Sequence, residues 1–360
     1  MAHNIPNANR LAKLMHPKSQ AMVITNVKDE NSSMRTYTLK ASDDHELAYF
    51  SAGAYIPVIL EIDGNKIERP YAICSSPKDS VNGIYEISVK RMDGGYVSNY
   101  IYENWAVGTE VTLGGPGLGD SYSPIRDKKH VIGIAGGIGV TPFRSMAKAI
   151  VEGDVDCELT LIYGANTMEE VVYKEEWKQL EEASAGKFKC VLVIANEEIE
   201  GCEHGFVSLD IINKYHDVTD ASLFISGPAG LVKHMKTILA PLNLQKRFVR
   251  IGMGGDSQFA PMEKAGQDEY KILVHMAGET REIPAKSNET ILVALEKAGF
   301  VPAVKCRSGV CGFCRSYIVK GEITLADTEI AVRKRDKELG YIHPCCTFPM
   351  SDLEIIVHRG

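Results

Sequence analysis

Hydrophobic and polar positions follow three successive patterns along this chain of 360 residues. Between about 21 and 117, short β-rich runs recur, each bounded by Gly, Asp, Asn or Pro, as strands usually are. The runs are AMVITNV, RTYTLKA, YIPVILEI, YEISVKR and EVTLGG. Their spacing predicts an antiparallel β-barrel.

A second pattern, from about residue 128, alternates apolar strands with helical segments. HVIGIAG leads through a glycine-rich loop into the helical FRSMAKAIV. ELTLIYG, KCVLVIA and SLFISG repeat the strand, and YKEEWKQLEEA is one of the helical segments between them. Alternation of this kind predicts an α/β domain with a parallel sheet covered by helices.

The last pattern follows a polar, glycine-rich segment that offers little to bury. It begins with a predicted hairpin, YKILVHMAGETREIPA, and a helix, ETILVALEKAG, with Ser287 or Asn288 as the expected N-cap and Gly299 as the stop. The chain is therefore predicted to be multidomain. The expected boundaries are an extension at 1–20, a barrel at 21–126, an α/β domain at 127–250, a linker at 251–269 and an α+β domain at 270–360.

Composition narrows the classes of function. The chain is 44% apolar, enough for two or three cores, and has a formal charge of −7. This acidic balance argues against a nucleic-acid binder, because neutralising a phosphate backbone takes a basic excess. No apolar run approaches the roughly 20 residues that span a bilayer, and the N-terminus lacks the apolar core of a secretory signal. We therefore expect a cytoplasmic protein without a membrane span, whose partners are small molecules or other proteins.

Nine cysteines are present, and five of them lie between Cys306 and Cys346. In a reducing compartment such a group indicates metal rather than disulfides. Cys306, Cys311 and Cys314 are spaced Cys-x4-Cys-x2-Cys. Structural zinc sites usually pair cysteines in two separate knuckles, whereas this spacing is that of plant-type [2Fe–2S] domains. Zinc and unligated structural thiols are the alternatives.

The residues between these cysteines suit an anionic cluster. Sulfide and thiolate sulfurs carry net negative charge, so backbone N–H groups must turn inward. Gly309 and Gly312 let the chain curl closely around them. Lys305, Arg307 and Arg315 add positive charge nearby.

From residue 270 to the C-terminus the chain resembles the plant-type ferredoxin domain. The strongest match is GFVPAVKCRSGVCGFCRSYIVKGE with YIHPCCTFPMSDLEI. The resemblance implies a β-grasp fold and a [2Fe–2S] cluster held by Cys306, Cys311, Cys314 and a fourth cysteine. In that family the fourth ligand precedes a short stretch ending in Pro-x-Ser-Asp, which favours Cys345 over the adjacent Cys346.

Two motifs in the barrel region resemble the flavin motifs of the ferredoxin–NADP reductase superfamily. They are RPYAICSSP at 69–77 and GGYVSNYI at 94–101. In this resemblance the first motif supplies an arginine for a flavin phosphate and a tyrosine for the isoalloxazine ring. The second opens a helix whose N-terminus offers donors to phosphate. The flavin-binding residues that it implies are Arg69, Pro70, Tyr71, Ala72 and Ser75 in the first motif and Gly95, Val97 and Ser98 in the second.

Ala72 departs from the family, which places a serine near flavin N5. Hydride transfer then relies on backbone donors, another side chain or alignment. The flavin is expected to be FAD, because GGPGLGD and the helix opening at Val97 favour a pyrophosphate. A related group of one-chain reductases with the same domain order uses FMN, which is the alternative.

A glycine loop in the α/β region, AGGIGVTPFRSM, follows a strand and opens a helix. Threonine is a good N-cap and proline suits the first turn, so we expect Thr141 to cap a helix that faces a pyrophosphate. The same superfamily carries Gly-Gly-x-Gly-x-Thr-Pro here, and FISGPAG resembles its second nicotinamide landmark. The NAD(P)-binding residues that this implies are Gly136, Gly137, Gly139, Thr141, Pro142, Ser226, Gly227 and Pro228.

NADH is expected over NADPH. Past the second strand of the α/β region, YGANTMEEVVY offers Glu169 and Glu170 but no Arg or Lys, so a 2′-phosphate would be repelled. The alternative is that these glutamates only solvate a helix start. Ser226 stands where the family has a cysteine that helps to position the nicotinamide ring. This chain lacks that cysteine.

The order of flavin barrel, nucleotide domain and ferredoxin domain resembles one-chain reductases that supply electrons to oxygenases or hybrid-cluster proteins. It implies hydride transfer from NADH to the flavin, single electrons through the cluster, and a separate redox protein as acceptor, with no catalytic residues beyond those that hold the cofactors. From Tyr270 on the chain has 13 Lys or Arg against 11 Asp or Glu, which is consistent with a partner that has an acidic docking rim. The alternative is that the RKRDKE run is only a solvated helix face. The alternatives are electron flow in reverse and a redox-sensing or regulatory subunit of a larger complex.

Overall fold

The computed structural model describes residues 17–43, 45–117, 119, 121–252, 259–309, 311–326 and 332–358. Most of the predicted extension, part of the predicted linker, and Leu118 and Asp120 of GGPGLGD lie outside these residues. Contacts divide the described chain into two units. The first contains the residues up to Ile59 and Arg69–Gly252; the second contains Leu60–Glu68 and the residues from Phe259 on.

The N-terminal strands form one six-stranded sheet with the order β4-β3-β6-β1-β2-β5. They are β1 (Gln20–Asn31), β2 (Met34–Ala41), β3 (Tyr55–Ile62), β4 (Asn65–Ala72), β5 (Ile84–Lys90) and β6 (Glu110–Leu113), with helices α1 (Pro77–Val81) and α2 (Tyr96–Asn104). An antiparallel bridge between Ile73 and Ile87 joins the end of β4 to β5, the two edges of this sheet. The predicted antiparallel barrel is confirmed.

Strand β5 shows how the barrel core is specified. Its odd positions Tyr85, Ile87 and Val89 are fully buried, whereas Glu86 and Lys90 lie on the opposite face of the pleat because side chains alternate along a strand. This polar face of β5 is therefore available to the domain that follows.

The α/β region forms a six-stranded parallel sheet with the order β10-β9-β8-β7-β11-β12. Its strands are β7 (His130–Gly136), β8 (Glu158–Ala165), β9 (Phe188–Ile194), β10 (Glu203–His204), β11 (Ser222–Ser226) and β12 (Val249–Ile251). Its helices are α3 (Thr141–Val151), α4 (Lys174–Ala183), α5 (Leu209–Tyr215) and α6 (Ala229–Leu239). Strand order reverses at β7, and ligands of such sheets bind outside the carboxyl ends of the strands at that reversal.

The second unit contains a five-stranded mixed sheet with the order β14-β13-β19-β15-β17 and a two-stranded sheet of β16 and β18. The strands are β13 (Glu269–Met276), β14 (Glu279–Lys286), β15 (Ser316–Lys320), β16 (Ile323–Leu325), β17 (Tyr341–Ile342), β18 (Thr347–Pro349) and β19 (Leu353–Val357), with helices α7 (Ile291–Lys297) and α8 (Lys334–Glu338). The first two strands form the predicted hairpin, and β13 pairs in parallel with β19. The β-grasp prediction is confirmed.

Helix α7 packs Ile291, Ala294 and Leu295 into the core of this sheet. Its N-cap is Thr290, whose hydroxyl accepts from the amide of Val293, so the expectation of Ser287 or Asn288 is wrong. The predicted cap lay too early in the chain, because Thr290 already provides the hydroxyl that accepts from a first-turn amide. Gly299, with φ of +82°, ends the helix as expected. In the part of the chain that is described, no helix has the length and apolarity needed to cross a membrane.

Candidate functional site

The first flavin motif lies at the end of β4. Arg69, Pro70, Tyr71 and Ala72 are its last four residues and are partly exposed. Ser75, just beyond, is fully buried, and its hydroxyl oxygen accepts from the amide of Glu86 at 3.0 Å. The motif is thereby fastened to β5, the strand that leads into the second flavin motif.

The second flavin motif forms the start of α2, which begins at Tyr96 with Gly95 as its N-cap and no side-chain cap. The hydroxyl of Ser98 and the amide oxygen of Asn99 are inaccessible to solvent and have no hydrogen-bond partner among the described residues. A Cβ at Gly95 would lie 2.4 Å from the Ser98 hydroxyl, so glycine keeps this space open. An uncapped helix start beside a buried unpaired hydroxyl fits a phosphate, which a flavin nucleotide supplies.

The two nicotinamide motifs meet at the carboxyl ends of β7 and β11. Gly136 ends β7, Ala135 lies opposite Ser226, and a Cβ on Gly139 would lie 2.2 Å from the carbonyl oxygen of Ser226. Close backbone approach therefore requires glycine at position 139. Of the other residues predicted here, Gly227 follows Ser226 directly and Pro228 is the N-cap of α6.

Thr141 does not cap α3. A single 3-10 turn, Gly137–Val140, precedes the helix, so Thr141 and Pro142 occupy the first two helical positions. The hydroxyl of Thr141 donates to the carbonyl of Ile138 at 2.9 Å instead of accepting from the helix. The helical turn thus begins at Gly137, with φ of +52°, and it is this glycine that brings the helix start to the sheet edge.

A cavity of about 290 Å³ opens beside this loop. Gly137 and Ile138 line it, together with the β1–β2 turn and the segment after β8 that carries Glu169 and Glu170. The carboxylate of Glu170 accepts from the side chain of Asn166 at 3.0 and 3.1 Å. The cavity lies where the strand order reverses, the expected place for a nucleotide.

Lys90 on β5 also lines this cavity, and sequence reasoning missed it. Its ammonium makes no hydrogen bond or ion pair with other residues that the structure describes, and it would lie 3.8 Å from a Cβ on Gly137. The signal was the polar alternation of Glu86, Ser88 and Lys90 along β5, which marks a strand face covered by a polar partner.

The same strand face carries a buried ion network. Arg144 of α3 donates to the carboxylate of Glu86 at 2.7 Å, to the carbonyl of Cys74 at 3.1 Å and to Glu176 at 2.8 Å. Burial would raise the pKa of Glu86, but Arg144 and Lys148 outweigh burial and hold this pKa below its ordinary value. Paired charges of this kind fix the nucleotide domain on the barrel, because separating them would leave a buried charge unpaired.

The cysteine loop turns its amides towards sulfur. The amide of Gly309 donates to Sγ of Cys345 at 3.2 Å, that of Cys311 to Cys306 at 3.4 Å, and that of Phe313 to Cys311 at 3.5 Å. Left-handed φ values of +78° at Gly309 and +68° at Gly312 make this curl possible.

The sulfurs of Cys314 and Cys345 are 3.4 Å apart. The sulfur of Cys306 accepts from the backbone amide of Cys311. No group of three or more His, Cys, Asp and Glu side chains converges on a single ion within the described residues. Four cysteines, three of which accept from a backbone amide at sulfur, fit a two-iron cluster that takes four thiolates.

Cys345 and Cys346 differ in what they face. Cys345 is fully buried and contacts the cysteine loop through both Gly309 and Cys314. The sulfur of Cys346 instead lies 3.5 Å from the carbonyl of His343, three residues earlier in the chain. Burial would raise the pKa of Cys306, but the hydrogen bonds that it accepts within the loop, including that from Cys311, lower it below its ordinary value.

Arg307 anchors the loop from within. It has φ of +52° and its side chain is almost fully buried, with its guanidinium donating to both carboxylate oxygens of Glu296 at 2.7 and 2.9 Å. Sequence reasoning treated Arg307 only as positive charge near the cluster. Its partner on α7 was not readable, because Glu296 resembles an ordinary helix-surface residue.

Sequence comparisons agree with the three-part layout. The chain matches the families described as oxidoreductase FAD-binding domain over residues 20–122, oxidoreductase NAD-binding domain over 134–237 and 2Fe-2S iron-sulfur cluster binding domain over 274–350. It is 27% identical to the glycine betaine monooxygenase reductase subunit of Chromohalobacter salexigens, over 91% of this chain and 92% of the relative. It is 25% identical to NADH oxidoreductase HCR of Escherichia coli, over 86% of this chain and 89% of the relative.

Among solved structures, phthalate dioxygenase reductase matches 94% of this chain and 98% of its own, with a TM-score of 0.71 and 19% identity. An intact type IV self-sufficient cytochrome P450 monooxygenase matches 94% of this chain and 41% of its own, with a TM-score of 0.57 and 20% identity. At these identities the likeness concerns the fold.

Proposed function

For a chain that belongs to the ferredoxin–NADP reductase superfamily, as a one-chain reductase with a C-terminal plant-type [2Fe–2S] domain, we propose the following function. It takes electrons from NADH and passes them through FAD and a [2Fe–2S] cluster to a separate acceptor protein. The proposed domains are the flavin barrel at 21–126, the nucleotide domain at 127–250 and the ferredoxin domain at 270–360, with a linker at 251–269.

The cysteine loop is the observation that carries this proposal. A flavin site and a nucleotide site alone would also suit a two-electron dehydrogenase. A [2Fe–2S] cluster instead takes one electron at a time, and in plant-type domains its reduction potential is about −400 mV. The proposed ligands are Cys306, Cys311, Cys314 and Cys345. Backbone amides donate to the sulfurs of Cys306, Cys311 and Cys345, and the Cys314 sulfur lies 3.4 Å from that of Cys345.

The proposed entry point is the cavity beside Gly137. We assign the pyrophosphate of NADH to the helix start at Gly137 and to Lys90, because a helix N-terminus and a positive side chain both favour a dianion. Glu169 and Glu170 line the same cavity and would meet the adenine ribose. Their charge suits the two hydroxyls of NADH better than the 2′-phosphate of NADPH.

FAD is the proposed hydride acceptor. The residues proposed to bind it are Arg69–Ala72, Ser75 and the start of α2. The unpaired hydroxyl of Ser98 supports the phosphate end of this site. At the other end Ala72 offers only its backbone, so this chain orients the ring by packing and by the rigid seat of α3 on β5 rather than by a side-chain hydroxyl.

The proposed exit surface surrounds Phe313, which lies between two proposed ligands and is 57% exposed. Lys305 lies over its ring, with the ammonium 5.4 Å from the centroid, and Arg333 donates to the carbonyl of Cys311 at 2.6 Å. An exposed aromatic side chain close to Lys305 and Arg333 fits an acceptor that has an acidic rim around an apolar centre. Reduction of the acceptor should then slow as ionic strength rises.

We propose that the acceptor is the terminal component of an oxygenase. Support comes from the curated relatives, several of which are named as reductase components of monooxygenases, including that of carnitine monooxygenase from Escherichia coli, which is 25% identical over 90% of this chain and 94% of its own. We also propose a cytoplasmic location, where cluster-ligating thiols stay reduced before the irons bind.

Two artificial acceptors test the electron path. NADH should reduce both ferricyanide, which accepts from flavins directly, and cytochrome c, which needs a one-electron donor. Cys345→Ser should keep ferricyanide reduction and lose most cytochrome c reduction. Equal cytochrome c rates in both proteins would remove the cluster from the path. No turnover of either acceptor, with flavin and cluster bound, would favour a regulatory subunit instead.

A further inference from the structure

His343 is a fully buried side chain that bridges the cysteine loop and α8. Its Nδ1 lies 2.7 Å from the carbonyl oxygen of Gly309 and its Nε2 lies 2.9 Å from Oδ2 of Asp336. Asp336 is itself buried and also accepts from Arg315 at 3.5 Å. None of these residues is a proposed ligand of the cluster.

Both ring nitrogens of His343 face acceptors. A backbone carbonyl only accepts, so Nδ1 carries the hydrogen of the bond to Gly309. The hydrogen bond from His343 lowers the pKa of Asp336, which keeps that carboxylate ionised. The ring is therefore held by Asp336 on one side and by the loop on the other.

Gly309 is the residue that this arrangement holds. Its carbonyl accepts from His343 while its amide donates to Sγ of Cys345. Glycine loses more conformational freedom on folding than any other residue, and it has no side chain whose contacts could fix its backbone. His343 gives the Gly309 carbonyl a buried side-chain partner, so loss of this partner would leave the Gly309 backbone, and with it the direction of its amide, less constrained.

Amide donors to cluster sulfurs and the partners behind them tune reduction potential. Resting on the proposed function, we propose that His343 is a positioning residue for the cluster, holding Gly309 so that its amide stays aimed at Cys345, and that Asp336 orients the ring for this task. The Asp336–His343–Gly309 relay thus stabilises the reduced, more negatively charged cluster.

Two substitutions separate positioning from simple packing. His343→Leu fills the volume but donates to neither partner. Asp336→Asn is the matched control, because an amide at 336 can donate to Nε2 while the Nδ1 hydrogen remains on the Gly309 carbonyl. The relay predicts that His343→Leu loses the loop contact and that Asp336→Asn keeps it.

The first measurement is an anaerobic redox titration of the purified full chain, with the cluster followed by electron paramagnetic resonance. His343→Leu should shift the midpoint potential of the cluster to a more negative value, Asp336→Asn should stay close to wild type, and the flavin potential should be the same in all three proteins. An unchanged cluster potential in His343→Leu, with the same resonance spectrum as wild type, would overturn the proposal.

A second measurement covers the case in which His343→Leu takes up no cluster. Hydrogen exchange of the peptide spanning 306–314 is compared in the metal-free full chains, with the β13 peptide as an internal reference for folding. The relay predicts faster exchange of the loop in His343→Leu alone. Equal protection in all three chains would refute the relay. A wild-type chain that binds no iron or sulfide would instead refute the proposed function, and this exchange experiment would still decide on His343.

Discussion

The nucleotide cavity and the cysteine loop are built from different parts of the chain. At the cavity, close backbone approach at Gly139 and a helix start at Gly137 shape the site, and Lys90 is its one lining lysine or arginine among the described residues. At the cysteine loop, buried charged side chains do the fixing: Arg307 pairs with Glu296, and His343 joins Gly309 to Asp336. One site is shaped by the backbone and the other by buried polar pairs.

This difference predicts how each site tolerates change. A site shaped by backbone loses affinity when a lining side chain is removed, but the fold survives because nothing buried is left unpaired. A site held by buried ion pairs loses stability when one partner is removed, since the remaining charge has no water to compensate it. Substitutions at the cavity should therefore act on NADH, and substitutions around the cysteine loop should act on the ferredoxin unit itself.

The largest effect is expected for the proposed fourth ligand. Cys345→Ser should reduce the iron content from about two atoms per chain to little or none, because a [2Fe–2S] cluster requires four thiolates. Cys346→Ser is the matched control and should keep its iron, since the Cys346 sulfur faces the carbonyl of His343. Iron and sulfide analysis after reconstitution measures both. The opposite pattern would move the ligand to Cys346.

Next comes the buried ion pair. Glu296→Gln should destabilise the second unit by about 1.5–3 kcal/mol, because it weakens the charge-assisted hydrogen bonds that the buried Arg307 guanidinium donates to this carboxylate. Glu282→Gln removes an exposed partner of Lys271 and should leave the urea midpoint unchanged within error. Urea unfolding of the apo chains, followed by a probe in the ferredoxin unit, compares the two. Equal midpoints for both variants would show that the Arg307 pair contributes nothing to stability.

Lys90 should have a smaller effect and of a different kind. Lys90→Ala should raise KM for NADH about tenfold, the loss of one charge-assisted hydrogen bond, with little change in kcat or in thermal stability. Lys40→Ala, at an exposed position of β2, serves as the control. Steady-state ferricyanide reduction gives both constants. A fall in kcat with an unchanged KM would place Lys90 at the flavin instead of the pyrophosphate.

The smallest expected change is in coenzyme preference. Glu169→Arg should lower KM for NADPH several-fold and raise that for NADH slightly, because it replaces repulsion of the 2′-phosphate with attraction. Glu170 is the less suitable target, since Asn166 already holds its carboxylate. Parallel titrations with the two coenzymes measure the ratio. No change in the ratio would place the adenine ribose away from Glu169.

Patterns that depend on the backbone were readable from the sequence. Strand alternation predicted the barrel, apolar runs between helices predicted the parallel sheet, and the glycines at 137, 139, 309 and 312 marked turns that the structure contains. These features depend on local chemistry, which neighbouring residues reveal. The same holds for the left-handed turn at Gly299.

Features that depend on distant partners were not readable. Glu296 and Asp336 look like solvated helix residues, and His343 looks like any polar residue before a proline, yet each is buried by contacts from elsewhere in the chain. The expected helix caps, at Ser287 or Asn288 and at Thr141, were wrong for a related reason, since only the folded backbone selects the residue at which each helix begins. Lys90 lies between these cases, because its strand face was readable and its cavity was not.

The central claim is that electrons from NADH reach the cluster through the flavin of the same chain. An anaerobic titration of the reconstituted chain with NADH, followed at once by flavin absorbance and by electron paramagnetic resonance of the reduced cluster, tests it most directly. The account predicts that flavin bleaching and the resonance signal of the reduced cluster develop together in wild type and that the signal alone is missing in Cys345→Ser. Full bleaching of the flavin in wild type with an intact but still oxidised cluster would contradict it.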